Sequence, residues 1–322
     1  MTQRTIEYRQ LIQIVVLFTL VQFVGLLIAI GAYSGATYEN MSLQGYGLSI
    51  YTYIVVIVAS IVFLMLLFKF YHGEKIFFLI EGYLILITTF YLVGIIINIP
   101  YGNAFAFVYG DLGGYSYIIP LLAGIAMIIL KNKYKSLRNA TAMITSLGLG
   151  LILGMTFTFQ MALIFMALLA VYDFISVFVT KHMVAFANAA VKLNLAMMVS
   201  INEIEAIPEA QVDKKYIKEY EKEKKESPNK RIFEAIPKGT VPFAASTALG
   251  NGDMAMPLMV AVSAYSSFFN FDISIAVILG AILGLTLTMF ILRKYKRALP
   301  AIPPLLLGIC IGLGAYFILV NI

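Results

Sequence analysis

Long apolar runs recur along the whole chain and constrain its fold more than any other feature. Crossing the hydrocarbon core takes about 20 apolar residues as a helix, and a lipid-exposed backbone must satisfy its own hydrogen bonds. Runs of this length are too long for barrel strands, so we expect helices. The sequence predicts an all-α polytopic membrane protein with nine transmembrane helices at 11–32, 49–68, 76–99, 115–130, 141–158, 161–180, 243–265, 272–292 and 302–320.

Composition and charge support this class and exclude others. The 322 residues are 61% hydrophobic and 12% charged, whereas soluble domains average about 45–50% and about 25%. The net charge of +6 does not indicate nucleic acid as a partner, because the basic residues lie in short loops between apolar runs. Cys310 is the only cysteine, so an intrachain disulfide is impossible and we expect no Cys-based metal site. We also expect no other metal and no cofactor.

Basic residues also predict the orientation. The N-terminal segment and every second connection carry Lys or Arg, and the connections between them carry none. Because cytoplasmic loops are enriched in Lys and Arg, we expect the N-terminus in the cytoplasm and the C-terminus outside. The basic connections are 69–75, 131–140, 181–240 and 293–297.

The chain divides at one long polar insert. Residues 1–202 are expected to form a six-helix transmembrane part that ends in an interfacial helix at about 183–202, since apolar residues recur there at spacings of three and four. Residues 203–239 are rich in charge and predict a cytoplasmic loop. Residues 240–322 are expected to form a three-helix transmembrane part.

Three acidic residues, Glu81, Asp173 and Asp253, lie inside predicted spans away from their ends, where a charged side chain costs about 2.5–3.5 kcal/mol and suggests function. Lys181 marks the cytoplasmic end of one span, and Asp173 lies eight residues before it. If the next span begins near Ala245, after Pro242, Asp253 lies eight residues into it. At 1.5 Å per residue, both are about 12 Å from the cytoplasmic face.

Two carboxylates at one depth in a low dielectric predict a coupled pair with one member protonated and one charged. This is the working state of an aspartic-protease dyad. Two other interpretations stay open from these residues: a proton-sharing pair that holds two helices together, and a proton or cation pathway.

Other residues near the pair suggest a weakened helix. Gly250 and Gly252 would allow close backbone approach, and Pro257 removes the N–H that the Asp253 carbonyl would bond, so we expect a kink or unwinding there. Glu81 is expected to snorkel or to hydrogen-bond within the bundle. The chain lacks H-E-x-x-H, G-x-S-x-G and P-loop motifs.

Three ordered motifs resemble the presenilin and signal-peptide-peptidase family of GxGD intramembrane aspartyl proteases. They are the family's YD, GxGD and PALP motifs, which correspond here to Tyr172-Asp173, Gly250-Asn251-Gly252-Asp253 and Pro300-Ala301-Ile302-Pro303. Asn251 stands where presenilins commonly have Leu, and Ile302 where the family has Leu. Both differences leave the substrate preference open.

The resemblance, closest to a microbial, archaeal-type presenilin homologue, implies an aspartic endopeptidase with Asp173 and Asp253 as the catalytic pair. It implies that Tyr172, Gly250, Gly252 and the 300–303 motif shape the active site and position the substrate. The partners implied are the lipid bilayer and transmembrane protein or peptide substrates, with a homo-oligomer possible. It also suggests that the segment 231–243 pairs as a strand with an unwound substrate.

The predicted orientation matches presenilins, because signal peptide peptidases are inverted in the membrane. Substrates would be single-span proteins with their N-terminus outside, cut near the cytoplasmic side, and the location would be the plasma membrane. The alternative function is a carboxylate-dependent ion or proton transporter or leak channel, although no inverted repeat is evident. A prepilin-peptidase-like enzyme also uses a GxGD aspartate, but the nine spans, Tyr172-Asp173 and the 300–303 motif argue against it.

Overall fold

The computed structural model describes residues 8–34, 55, 74–109, 112–178, 195–208, 240–295 and 299–320. The chain separates into two compact units. The larger unit comprises Val15–Val199 and Leu249–Ile322, and the smaller comprises Met1–Ile14 and Ser200–Ala248. All the contacts described below for the candidate site are within the larger unit.

Helices dominate the described residues, together with one pair of strands and three short 3₁₀ turns. The helices are α1 (Tyr8–Ser34), α2 (Glu74–Asn98), α3 (Ala104–Tyr109), α4 (Ile118–Lys133), α5 (Arg138–Thr156), α6 (Phe159–Phe178), α7 (Asn251–Phe268), α8 (Phe271–Tyr295) and α9 (Ile302–Val320), and the strands are β1 (Met198–Pro208) and β2 (Thr240–Gly250).

Seven helices in the described part of the chain are long and apolar enough to cross a membrane. They correspond to seven of the nine predicted spans. Apart from Val55, the predicted span 49–68 lies outside the described residues. The predicted span 243–265 is represented by α7, which is not one of the seven.

Helix α7 is the central helix of the larger unit. Every residue from Met254 to Ala264 is buried, and α7 packs against α5, α6 and α8. Its buried serines are satisfied within the helix, since Ser263 donates to the Val260 carbonyl and Ser266 donates to the Ser263 carbonyl. Close approach to α5 is possible because Gly150 and Gly154 face Leu258 and Val262, with no room for a Cβ.

Helices α8 and α9 pack along a row of glycines. A Cβ at Gly280 would lie 2.3 Å from the carbonyl oxygen of Gly308, and one at Gly284 would lie 2.4 Å from that of Pro304. Small residues allow membrane helices to approach closely enough for backbone contact. The N-terminal end of α9, which begins within the 300–303 motif, is therefore held directly against the α8 backbone.

The two strands correct part of the prediction. The interfacial helix expected at 183–202 is wrong for its last residues, since β1 begins at Met198. Residues 203–208 of the expected charged loop also belong to β1, and 240–250 are the strand β2 rather than the start of a helix. Residues 183–194 and 209–239 lie outside the described residues.

Long-range pairing explains the error. The two strands are hydrogen-bonded neighbours in a two-stranded sheet, although they lie far apart in the sequence. A short apolar run is compatible with either a helix or a strand, and the hydrogen bonds to the partner strand decide between them.

Candidate active site

Asp173 belongs to the buried face of α6. The buried residues of that helix recur at spacings of three and four and include Met166, Ala170, Asp173 and Val177. Phe174 is exposed on the outer side. Asp173 itself is only 7% exposed, so its carboxyl group needs polar partners inside the protein.

The start of α9 supplies those partners. The N–H of Ile302 donates a hydrogen bond to Oδ2 of Asp173 at 3.2 Å, and the backbone N–H of Ala301 also interacts with this carboxylate. The first turn of a helix leaves its N–H groups without intrahelical partners. In α9 the next two residues, Pro303 and Pro304, have no N–H to satisfy, and the N–H of Leu305 bonds to the Ala301 carbonyl at 3.3 Å.

Asp253 lies in the first turn of α7. Its Oδ2 accepts a hydrogen bond from the N–H of Gly250 at 3.2 Å, and the residue is partly exposed. The expectation that this helix begins near Ala245 was wrong, because the chain remains extended to Gly250 and α7 begins at Asn251. Asp253 is therefore two residues from the start of its helix, and the equal helical depths deduced for the two aspartates do not hold.

The two aspartates nevertheless lie on neighbouring helices. Helix α6, which carries Asp173, packs against α7, which carries Asp253. Each lies at the N-terminal end of a helix, Asp173 beside α9 and Asp253 in α7. Backbone N–H groups at such ends attract negative charge.

The glycines beside Asp253 have different surroundings. A Cβ at Gly250 would lie 3.1 Å from Oδ2 of Asp253, whereas a Cβ at Gly252 would have no atom within 4 Å. Gly250 therefore leaves room for the carboxylate, and Gly252 borders open space.

The structure also places the other predicted site residues. Tyr172 is partly buried and directly precedes Asp173 in α6. Pro300 and Ile302 are buried, and Ala301 and Pro303 are partly buried. The structure thus brings the YD motif and the 300–303 motif together, because the backbone of the 300–303 motif donates to the Asp173 carboxylate.

Helix α1 contributes an interhelical hydrogen bond through Gln22, the role that a glutamine inside an apolar span suggests. Nε2 of Gln22, which is fully buried, donates to the Met254 carbonyl at 2.8 Å. The neighbouring Asp253 carbonyl lacks a helical donor because Pro257 has no N–H. Gln22 thus binds α7 at the turn that Pro257 weakens.

The structure also shows the partners of two further residues, which the sequence alone could not identify. Asn251 bonds the turn before β1 through its backbone N–H and its side chain, and Glu81 pairs with Lys131. The expectation that Glu81 hydrogen-bonds within the bundle is confirmed. Within the described part of the chain, no three His, Cys, Asp or Glu side chains are grouped so as to hold a metal ion.

A helical membrane bundle that brings two carboxyl groups together in its interior has the architecture of an intramembrane aspartyl protease. The chain belongs to the family described as signal-peptide peptidase, presenilin aspartyl protease, whose model matches residues 15–321. It is an aspartic endopeptidase of the intramembrane-cleaving, presenilin type and an integral membrane protein.

Solved structures agree at the level of the fold. The chain is similar to a presenilin family intramembrane aspartate protease, with a TM-score of 0.52, 16% identity, and coverage of 94% of this chain and 95% of that chain. Comparison with curated proteins returned no match. Neither the family nor the fold supports the transporter or leak-channel alternative.

Proposed function

We propose that Asp173 and Asp253 are the catalytic pair that hydrolyses peptide bonds of single-span membrane proteins within the bilayer. The observation that carries this proposal is that α6 and α7 pack against each other and that each aspartate accepts a backbone N–H, Asp173 from Ile302 and Asp253 from Gly250. Two neighbouring carboxyl groups in a low dielectric favour sharing one proton, which provides a general base and a general acid in one site.

The chemistry needs only these two groups and a water molecule. The ionised carboxylate takes a proton from the water, whose oxygen attacks the scissile carbonyl carbon, while the protonated partner donates to the carbonyl oxygen. When the tetrahedral intermediate collapses, the C–N bond breaks and the leaving amine receives a proton from the pair. The Ile302 N–H, at 3.2 Å from Oδ2 of Asp173, orients that carboxyl group through the cycle.

The strand before α7 suggests how the substrate is presented. Within the described residues the sheet contains β1 and β2 only, so each strand has an edge without a partner strand. A substrate segment that unwinds can add to such an edge through backbone hydrogen bonds. The strand β2 ends at Gly250, and the chain then leads directly into the first turn of α7, which carries Asp253. The open space at Gly252 would admit the substrate backbone.

The pattern of basic residues supports the finer part of the proposal. With the N-terminus in the cytoplasm, nine spans and the C-terminus outside, the substrates are single-span proteins with an outside N-terminus, cut near the cytoplasmic side. The membrane proposed is the plasma membrane.

The test uses purified protein in detergent and a single-span peptide, with fragments identified by mass spectrometry. We expect cleavage in the cytoplasmic third of the substrate helix by the wild type and none by Asp253→Asn. Cleavage by Asp253→Asn at the wild-type rate would refute the proposed pair. Ion flux in proteoliposomes that is lost in the same variant would favour the transport alternative instead.

A further inference from the structure

A buried ion pair lies outside the proposed dyad. Oε1 of Glu81 on α2 and Nζ of Lys131 in the last turn of α4 are 2.6 Å apart, and the side chains are only 4% and 5% exposed. Taking two charges out of water costs several kcal/mol per ion, and the attraction between them compensates only when further hydrogen bonds complete the site. The further hydrogen bonds of the Glu81–Lys131 pair therefore indicate its role in the structure.

One of those hydrogen bonds comes from a backbone N–H near the strands. Oε1 of Glu81 also accepts a hydrogen bond from the N–H of Ala196 at 2.5 Å. Ala196 and Met197 form a turn directly before β1. Glu81 therefore fixes this turn to α2, and Lys131 holds the Glu81 carboxylate in place.

The same turn binds the start of α7. The Ala196 carbonyl accepts a hydrogen bond from Nδ2 of Asn251 at 2.9 Å, and the Met197 carbonyl accepts one from the Asn251 backbone N–H at 3.1 Å. Both carbonyls of the turn are thus used by one residue. That residue is two positions before Asp253.

This attachment matters because α7 lacks the usual cap. Its N-cap is Gly250, which has no side chain to bond the free N–H groups of the first turn. The N–H of Asn251 is satisfied by the turn instead. An amide side chain at 251 adds a second bond, which an apolar side chain could not make.

We infer that Glu81, Lys131 and Asn251 are positioning residues that hold Asp253 in register with Asp173 through the Ala196–Met197 turn. This inference rests on the proposed function of the two aspartates. The ion pair anchors the turn, the turn anchors Asn251, and Asn251 fixes the helical turn that carries Asp253. None of the three positioning residues needs to touch the substrate.

The test must separate positioning from folding, because removing one charge leaves the other buried and unpaired. Two charge-free double variants avoid this: E81Q/K131M and E81L/K131M. They differ only in the side chain at position 81, where glutamine retains an oxygen that can accept from the Ala196 N–H and leucine does not. Both are compared in thermal unfolding and in steady-state cleavage of the single-span peptide.

We expect E81Q/K131M to keep kcat within about threefold of the wild type. E81L/K131M should lower kcat by about ten- to a hundredfold, since a displacement of about 1 Å can cost about a hundredfold, while KM changes by less than about twofold. N251L should lower kcat similarly. The exposed Asn103 serves as the matched control, and N103L should leave kcat unchanged.

Non-additivity provides the second readout. If Glu81 and Asn251 act through the same turn, N251L in the E81L/K131M background should reduce kcat by less than about threefold further. A folded E81L/K131M with wild-type kcat, or effects of the two changes that multiply, would overturn the inference. If E81L/K131M does not fold, the kcat of N251L against N103L decides. The proposed function fails separately, when D173N cleaves the peptide like the wild type.

Discussion

At the scale of single residues, the two glycines of the GxGD motif have different surroundings. Gly250 donates its N–H to Asp253 and leaves space for the carboxylate, whereas Gly252 faces open space. Neither has a positive φ, so backbone strain does not require glycine at either position. Glycine is needed at position 250 because a Cβ there would lie only 3.1 Å from Oδ2 of Asp253.

This difference predicts that alanine substitutions at the two glycines have different effects on kcat. Gly250→Ala should displace the Asp253 carboxyl group by a few tenths of an ångström and lower kcat by about tenfold. Gly252→Ala touches no part of Asp253 and should leave kcat within about threefold, but it should raise KM, because its methyl group would occupy the space proposed for the substrate backbone; it should also raise helix stability by up to about 1 kcal/mol. Peptide cleavage rates and thermal unfolding of both variants measure this, and equal kcat losses would contradict it.

Single residues also show how far the sequence could predict the site. Asp173 and Asp253 were found because a carboxyl group inside an apolar run is costly and therefore conspicuous. Asn251 could not be explained in this way, because its meaning depends on the carbonyls of Ala196 and Met197, far away in the sequence. The sequence predicts Lys131 to be a loop charge, whereas in the structure it is buried against Glu81.

At the scale of the elements, the α8–α9 contact positions the start of α9 and hence the N–H groups that hold Asp173. Gly284 packs against the backbone of Pro304, immediately after the 300–303 motif. A side chain at Gly284 must separate the helices, because the atoms it would meet are backbone atoms. Gly314, further along α9, has no atom within 4 Å of a Cβ.

Gly284→Ala should therefore destabilise the protein by about 1–3 kcal/mol, as overpacking does. It should also lower kcat by about tenfold, because the Ile302 N–H moves away from Asp173. Gly314→Ala, on the same helix pair, should match the wild type in both measurements. Wild-type cleavage by Gly284→Ala would show that the start of α9 does not position Asp173.

The sequence predicts well those elements whose backbone hydrogen bonds lie within the element itself. Helices such as α1 and α8 follow from apolar length alone, because a membrane-spanning backbone bonds within its own segment. The strands could not be predicted in this way, since β1 and β2 satisfy each other across the 209–239 segment. The start of α7 was placed about two turns too early for the same reason.

At the scale of the whole molecule, the orientation remains a prediction from the basic loops. In a C310S background, Ser34→Cys at the end of α1 and Lys133→Cys at the end of α4 place single thiols at exposed helix ends. A membrane-impermeant maleimide on intact cells should label the cysteine at position 34 and not the one at 133. The reverse pattern would mean that the chain is inverted.

The central claim is that Asp173 and Asp253 act as one catalytic unit, and a comparison of three variants tests it most directly. Cleavage of the single-span peptide is measured for D173N, D253N and D173N/D253N, with thermal unfolding as the check on folding. When two groups act as one catalytic unit, removing either one abolishes the contribution of both. We therefore expect all three variants to show the same residual rate, at least about a thousandfold below wild type. A folded single variant that cleaves tenfold or more faster than the double variant would contradict the account.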